Sequence, residues 1–162
     1  MKPRELDTEI AVIGGGVIGS TTAYYLAKAG HDVTLVECRD IATGPTNANS
    51  GVISLLTKSP GDPLRLAKKS RDAFPALIAD LDCDVDHNLI GMTVLAETEP
   101  YWEPLRETSL AQQASGADIV LLDNRQLREL EPALAPHVYG GVYAQGDSYV
   151  NPMLFTFAVA RA

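Results

Sequence analysis

Residues 10–37 read IAVIGGGVIGSTTAYYLAKAGHDVTLVE and give the clearest indication of the fold. The apolar run at 10–13 is ended by glycines, which is typical of a central strand in a parallel sheet. Helical spacing follows over 17–29, and a second apolar run occupies 33–37. Strand, helix and strand in so short a stretch predict a βαβ unit, and therefore an α/β fold with a right-handed crossover. The residues expected to form the buried face of the helix are Val17, Ile18, Ala23, Leu26 and Ala27.

Three glycines lie where the first predicted strand ends and the helix begins, in the pattern Gly14-x-Gly16-x-x-Gly19. Gly14 permits a tight turn, Gly16 lets a pyrophosphate approach the backbone, and Gly19 allows the helix to pack close to the strand. The helix begins at Val17 and Ile18, where unpaired N–H groups and the positive end of the helix dipole favour phosphate. The pattern predicts a dinucleotide site formed by these five residues.

Glu37 stands at the end of the second predicted strand, eighteen residues after the last glycine of the pattern. A carboxylate there can accept hydrogen bonds from both ribose hydroxyls, and it disfavours NADP because it repels a 2′-phosphate. A glycine-rich turn without a ligand is the structural alternative, but it leaves Glu37 unexplained. NAD and FAD share this fingerprint, so later residues must decide between them.

The segment 46–53, TNANSGVI, taken with 10–37, resembles the FAD-dependent D-amino acid oxidase/sarcosine oxidase superfamily. Within it the chain is similar to glycine oxidases, D-amino acid dehydrogenases and opine or proline dehydrogenase subunits. Two later stretches resemble the same family, LDNRQLRELEP at 122–132 and GDSYVNP at 146–152. The four segments occur in the family's order and extend over nearly the whole chain.

The resemblance implies FAD as the cofactor and adds five residues to its site. Thr46 matches a residue whose hydroxyl and amide meet the FAD pyrophosphate. Ala48, Asn49 and Gly51 match a loop along the isoalloxazine, where small side chains let the flat ring approach the backbone. Some relatives have a histidine at the position of Asn49 and bind flavin covalently, so asparagine implies non-covalent FAD. Arg39 matches a residue near the adenine.

The resemblance also implies a domain organisation and an activity. We expect an FAD-binding region over 1–82, part of a β-rich substrate-binding lobe over 83–146, and a truncated return helix of the FAD domain over 147–162. The implied reaction is oxidation of the C–N bond of an amino acid or secondary amine by hydride transfer to flavin N5. Members of the family are far longer, so we expect an N-terminal portion completed by a C-terminal half or a partner subunit. No catalytic residue is assigned, because the flavin carries the redox chemistry.

Three alternatives stay open at this point. The chain could be a non-catalytic FAD-binding or structural subunit of a hetero-oligomeric dehydrogenase. It could be an NAD-dependent dehydrogenase, against which segment 46–53 argues. It could also be a flavin monooxygenase, against which segment 146–152 argues by analogy alone.

The charge of the chain limits its partners. The 162 residues include 13 basic and 21 acidic side chains, for a net charge of −8. This acidity argues against a nucleic-acid or anionic-membrane partner. The uncharged run 10–27 contains too many glycines and hydroxyl residues for a membrane span, and Lys2 and Arg4 are offset by acids, unlike a signal peptide. We interpret Lys68, Lys69 and Arg71 as a solvated helix face.

No metal site is expected. The cysteines, Cys38 and Cys83, match no zinc spacing, and we interpret them as reduced thiols of a cytoplasmic protein, with Cys38 as a small buried filler. Alternating aspartates over 80–86 fit a calcium loop poorly, because Val85 stands where the turn glycine belongs. A solvated strand edge is the better interpretation of these aspartates.

Later elements are predicted from local signals. An apolar run predicts a strand at 89–95, broken near Gly91. Asn124 is expected to cap a short helix that ends at Glu131. Asn151 followed by Pro152 is expected to open the last helix.

Overall fold

The computed structural model describes residues 7–162 and confirms the predicted α/β class. Its elements are, in chain order, β1 (Ile10–Ile13), α1 (Val17–Lys28), β2 (Val33–Val36), β3 (Val52–Ile53), α2 (Asp62–Asp80), β4 (Met92–Ala96), α3 (Glu99–Ala114), β5 (Ile119–Asp123), α4 (Asn124–Leu130), β6 (Gly140–Ala144), β7 (Ser148–Tyr149) and α5 (Pro152–Arg161). These residues form two compact units. The first comprises 7–51, 78–87 and 150–162, and the second comprises 52–77 and 88–149.

The first unit contains the predicted βαβ arrangement. Strands β1 and β2 are parallel, with Ile10 opposite Val33 and Ile13 opposite Val36, and α1 connects them. Among residues 7–162, β1 pairs with β2 only, so it is an edge strand there rather than the central strand that its apolar run predicts. Ile13, at the end of this edge strand, is 87% exposed.

Helix α1 buries only part of the side that was predicted, since Val17, Ala23 and Leu26 are half-buried. Ile18 is 82% exposed and Ala27 is exposed as well, whereas Ser20 is buried. Positions 18 and 20 lie roughly 200° apart around a helix, so burying the side that carries Ser20 turns Ile18 outward. The helix packs against α5 of the same unit. Its end is as expected, because Gly30 has a φ of 93° just after the last turn.

The second unit is built on an antiparallel sheet with the strand order β4-β6-β5. The central strand β6 is buried along most of its length, and its glycines admit close neighbours. A Cβ on Gly140 would lie 3.1 Å from the Trp102 ring, and one on Gly141 would lie 2.8 Å from the Val94 carbonyl oxygen. The core of this unit is formed by Leu55, Leu64, Ala117, Ile119, Val142 and Ala144.

A second, two-stranded sheet of this unit pairs β3 with β7. The strands are antiparallel, with Val52 opposite Tyr149 and Ile53 opposite Ser148. Asn88 adds an isolated antiparallel bridge to Tyr149. Neither short strand was predicted from the sequence, because two residues are too few to show an alternation of apolar and polar side chains.

Two predicted element boundaries are wrong. The strand predicted at 89–95 begins at Met92, and Leu89 and Ile90 are exposed loop residues. The cap of α4 is Asp123 rather than Asn124. The Asp123 carboxylate accepts the Gln126 N–H at 2.8 Å while the Gln126 side chain accepts the Asp123 N–H at 3.0 Å, a reciprocal capping box.

Two other local predictions have opposite outcomes. The start of α5 is as predicted, since the Asn151 side chain accepts the N–H groups of Met153 and Leu154 at 3.1 and 3.2 Å. The aspartates at 80–86 form no strand edge, because α2 ends at Asp80 and an irregular segment follows.

Within 7–162 no group of acidic, histidine and cysteine side chains is arranged to hold a metal ion.

Candidate functional site

The glycine turn in the first unit depends on backbone geometry. Gly14 has a φ of 109°, in a region that side chains disfavour, and its N–H donates to the Val36 carbonyl oxygen at 2.8 Å. A Cβ on Gly19 would lie 1.8 Å from the Gly14 carbonyl oxygen. The turn therefore requires glycine at both positions, and it brings the start of α1 against the end of β1.

The middle glycine, which the predicted pattern leaves unspecified, is constrained as well. Gly15 is buried, and a Cβ there would lie 3.1 Å from side-chain atoms of both Glu37 and Ile41. Its carbonyl oxygen accepts the N–H of Ala42, a buried residue with a φ of 64°. Neither Gly15 nor Ala42 was predicted from the sequence. The run of three consecutive glycines is the signal that could have identified Gly15.

Thr46 is brought to the first turn of α1, although it lies in a distant loop. It is buried, and its hydroxyl accepts the Val17 N–H at 3.0 Å. Gly16 leaves room for this contact, since a Cβ there would lie 2.9 Å from the Thr46 hydroxyl oxygen. A hydroxyl that accepts one hydrogen bond keeps its own proton to donate. Thr46 can therefore cap the helix and donate to an anion at the same place.

The start of α1 is suited to an anion. Gly16 is the N-cap residue of α1, and it has no side chain that could cap the helix. The first turn of α1, which includes Val17 and Ile18, contains no acidic residue. Helix N-termini carry a partial positive charge and N–H groups without helical partners. Gly14 adds open space, because nothing lies within 4 Å of where its Cβ would be. These features fit the pyrophosphate of a dinucleotide.

Glu37 turns its carboxylate toward the glycine turn. One oxygen accepts the Gly15 N–H at 2.7 Å, and the other accepts the Arg39 N–H at 2.9 Å and the Cys38 thiol at 3.3 Å. The hydrogen bond from Gly15, followed by that from Arg39, lowers the pKa of Glu37 from 4.5 to about 2. Glu37 is therefore ionised near neutral pH, and its oxygens keep further lone pairs for hydroxyl donors.

Cys38 corrects one sequence prediction. It was expected as a small buried filler, but it is exposed. The reason is its position just after β2, where the chain leaves the sheet and the thiol can reach the Glu37 carboxylate.

The loop over 46–51 is held by its own asparagine. The Asn49 side chain donates to the Thr46 carbonyl oxygen at 2.6 Å and accepts the Gly51 N–H at 2.8 Å. Gly51 is buried with a φ of 70°, and its carbonyl oxygen accepts the Val150 N–H at 3.0 Å. Both functional groups of Asn49 are thus used within the loop, which fixes its shape. Ala48 is exposed beside it.

The structure groups the predicted residues unequally. Contacts in the first unit join Gly14, Gly16, Val17, Gly19, Glu37 and Thr46 around the glycine turn, and they join Asn49 and Gly51 to Thr46 through the loop. The side chains of Ile18, Arg39 and Ala48 are exposed. Only the backbone N–H of Arg39 takes part in the contacts described above.

Comparisons with known proteins identify the family of this chain. The family model described as FAD dependent oxidoreductase matches residues 9–162. A glycine oxidase from Geobacillus kaustophilus is 31% identical over 95% of this chain and 43% of that protein. A D-amino acid dehydrogenase from Agrobacterium fabrum is 25% identical over 94% of this chain and 50% of that protein. The chain thus spans about half the length of the curated relatives it matches.

Solved structures also match nearly the whole of this chain. A glycine oxidase from Bacillus cereus matches with a TM-score of 0.84 and 33% identity, covering 96% of this chain and 43% of that one. An L-proline dehydrogenase from P. horikoshii matches with a TM-score of 0.88 over 98% of this chain and 42% of that one. At 24% identity, this second match concerns the fold alone. Within 7–162, no helix combines the length and the apolar character needed to cross a bilayer.

Proposed function

The chain belongs to the FAD dependent oxidoreductase family, and from this premise we propose that it binds FAD as part of an enzyme that oxidises the C–N bond of an amino acid or secondary amine. The observation that carries the proposal is the glycine turn, where Thr46 and Glu37 meet the start of α1. The relatives named glycine oxidase and D-amino acid dehydrogenase support the substrate class. Because the chain spans 43–50% of these relatives, the activity is proposed for the whole protein.

Each part of the cofactor has residues suited to it. The pyrophosphate would be held by Gly14, Gly16 and Gly19 of the turn, by the N–H groups of Val17 and Ile18, and by the Thr46 hydroxyl. Glu37 would accept from the ribose hydroxyls, and its charge would repel a 2′-phosphate. Arg39 would lie near the adenine, and the loop Ala48–Gly51 would follow the flavin ring.

When bound, FAD supplies a hydride acceptor, its N5 atom, for oxidation of the carbon that bears the amine. The residues of this chain bind and orient. Asn49 uses its amide to fix the loop over 46–51, and an amide is not a nucleophile that would attach flavin, which supports non-covalent binding. No residue of the chain is assigned a catalytic role.

The wider organisation is proposed on the same basis. We assign FAD binding to the region 1–82 and the return helix at 147–162, and the start of the substrate-binding lobe to 83–146. The site would be completed by a C-terminal half or a partner subunit. We propose a cytoplasmic location, since Cys38 and Cys83 are both exposed and form no disulfide, as is usual in a reducing compartment.

The test is anaerobic reduction of bound flavin. The protein would be purified with any polypeptide that completes it, loaded with FAD, and mixed with glycine, D-alanine, sarcosine or L-proline. Loss of flavin absorbance with one of these amines, and its return with an electron acceptor, is the expected result. Bound FAD that no amine reduces would favour the non-catalytic subunit, and a protein that binds NAD instead of FAD would overturn the proposal.

A further inference from the structure

A buried charge cluster lies in the second unit, and its members Ser54 and Leu55 follow Gly51 of the loop over 46–51 by three and four residues in the chain. Asp147 is fully buried, with 0% exposure, and Arg71 is 9% exposed. Arg71 donates to the Asp147 carboxylate at 3.3 Å. The Leu55 N–H lies 3.2 Å from both carboxylate oxygens, and the Ser54 hydroxyl donates to one of them. Asp147 thus joins α2, the turn before β7 and the segment after β3.

Arg71 also connects the cluster to Asp118. It was predicted to lie on a solvated helix face, but it is buried. Its guanidinium donates to Asp118 at 2.6 Å. Burial opposes the charge of Arg71, but hydrogen bonds and attraction from Asp118 and Asp147 outweigh it, so the pKa of Arg71 is raised. The prediction was wrong for Arg71 because charge patterning along α2 does not show which partners the fold supplies.

The cluster holds a segment that has no regular structure. Residues 54–58 follow β3 without forming helix or a further strand. Asp147 fixes the N-terminal end of the segment through Ser54 and Leu55. The buried amide of Gln112 fixes the rest, lying 3.3 Å from the Leu55 carbonyl oxygen and 2.7 Å from that of Lys58. Two buried polar side chains therefore replace the backbone pairing that a strand would provide.

This segment forms one wall of a cavity within the second unit. The cavity has a volume of about 480 Å³, and its lining includes Val52, Ile53, Ser54, Lys58, Leu66 and Arg71. Ser54 and Arg71 belong to both the cavity wall and the charge cluster. The rest of the wall is largely apolar, which suits the hydrocarbon part of a small molecule.

A buried ion pair is weak evidence for stability, because well-packed apolar residues often serve as well. Here the ion pair matters because it fixes the position of the backbone around Asp147. We propose that Asp147 is a positioning residue: it holds Ser54 and Leu55 so that segment 52–58 shapes a cavity for the side chain of the amine substrate. This inference rests on the proposed function and adds to it a determinant of substrate binding.

The experiment compares substrate kinetics of the holoprotein with those of Asp147→Asn, using the amine that reduces wild-type flavin fastest. Asparagine keeps one acceptor oxygen but removes the charge that pairs with Arg71. We expect normal flavin content, a KM raised by about tenfold or more, and a kcat changed by less than about threefold. Asp62→Asn makes the same chemical change at an exposed ion pair with Arg65 and should leave KM unchanged.

Two further measurements keep the test decisive. Hydrogen exchange at the Leu55 amide should be faster in Asp147→Asn, which a loss confined to the flavin site would not produce. If Asp147→Asn does not fold, Ser54→Ala replaces it, and a raised KM is again expected.

The contrary outcomes separate the two proposals. An unchanged KM with normal flavin content, in Asp147→Asn or in its replacement Ser54→Ala, overturns the positioning role and leaves the proposed function intact. A wild-type protein whose flavin no amine reduces overturns the proposed function, and the positioning role with it.

Discussion

The glycine turn of the first unit and the charge cluster of the second unit fix their geometry by opposite means. At the turn, the geometry is set by backbone groups that lie close together. Glycines are required there because side chains would collide with the backbone, as at Gly19. At the cluster, the charged side chains of Arg71 and Asp147 are buried and direct the backbone around them. Local geometry can therefore be preorganised either by leaving side chains out or by burying paired ones.

The largest expected effect comes from breaking the cluster. Asp147→Leu leaves Arg71 without its buried partner, and we expect it to lower the free energy of unfolding by about 3–5 kcal/mol. The double variant Asp147→Leu/Arg71→Met should recover at least half of that loss, because it removes the unpaired charge. Urea denaturation measures both. A double variant no more stable than the single one would contradict the role given to the ion pair.

A collision at the turn should be the next largest effect. Gly19→Ala places a methyl group where only 1.8 Å separates it from the Gly14 carbonyl oxygen. We expect a loss of about 1–3 kcal/mol in the free energy of unfolding. Gly44→Ala is the matched control, since nothing lies within 4 Å of its Cβ position. Equal effects of the two substitutions in thermal or urea unfolding would show that the turn is not tightly packed.

A smaller effect is expected at the Thr46 hydroxyl. Thr46→Val keeps the shape but removes the acceptor for the Val17 N–H and the donor proposed for the pyrophosphate. We expect the Kd for FAD to rise by about tenfold, equivalent to about 1.4 kcal/mol, and Thr46→Ser to stay close to wild type. Thr43→Val, at an exposed hydroxyl bonded to Asp40, is the control. The Kd is measured by fluorescence titration with FAD. An unchanged Kd in Thr46→Val would show that Thr46 does not contribute to FAD binding.

The smallest expected effect is a pH dependence at Glu37. Its pKa is lowered from 4.5 to about 2 in the folded state. A lowered carboxylate pKa contributes stability that is present above pH 4.5 and is lost as the pH falls toward 2. Glu37→Gln should therefore flatten part of the acid dependence in that range, measured by unfolding at a series of pH values. An acid profile identical to that of wild type would show that the carboxylate gains nothing from the Gly15 N–H.

The same comparison explains how much the sequence could predict. The βαβ unit and its glycine turn were predictable, because Gly14, Gly16 and Gly19 and the strand ending before Glu37 lie within one short stretch. The capping of α5 by Asn151 was predictable for the same reason. Each feature is specified by residues close together in the chain.

What could not be predicted depends on contacts between distant residues. In the sequence, Arg71 belongs to a charged stretch that predicts an exposed helix face. Its contact with Asp147 forms only in the folded structure. Thr46 entered the prediction through family resemblance, since its spacing from Val17 gives no local signal. Ile18 was expected to be buried, because apolar periodicity does not show which side of a helix the rest of the chain covers.

The central claim is that the glycine turn with Thr46 and Glu37 binds FAD. The most direct test is titration of the protein, together with any polypeptide that completes it, with FAD and separately with NAD and NADP. We expect saturable, equimolar FAD binding that neither nicotinamide cofactor displaces, and weaker binding in Thr46→Val. Saturable binding of NAD without binding of FAD would contradict the account. So would an affinity for FAD that is unchanged in both Thr46→Val and Gly19→Ala.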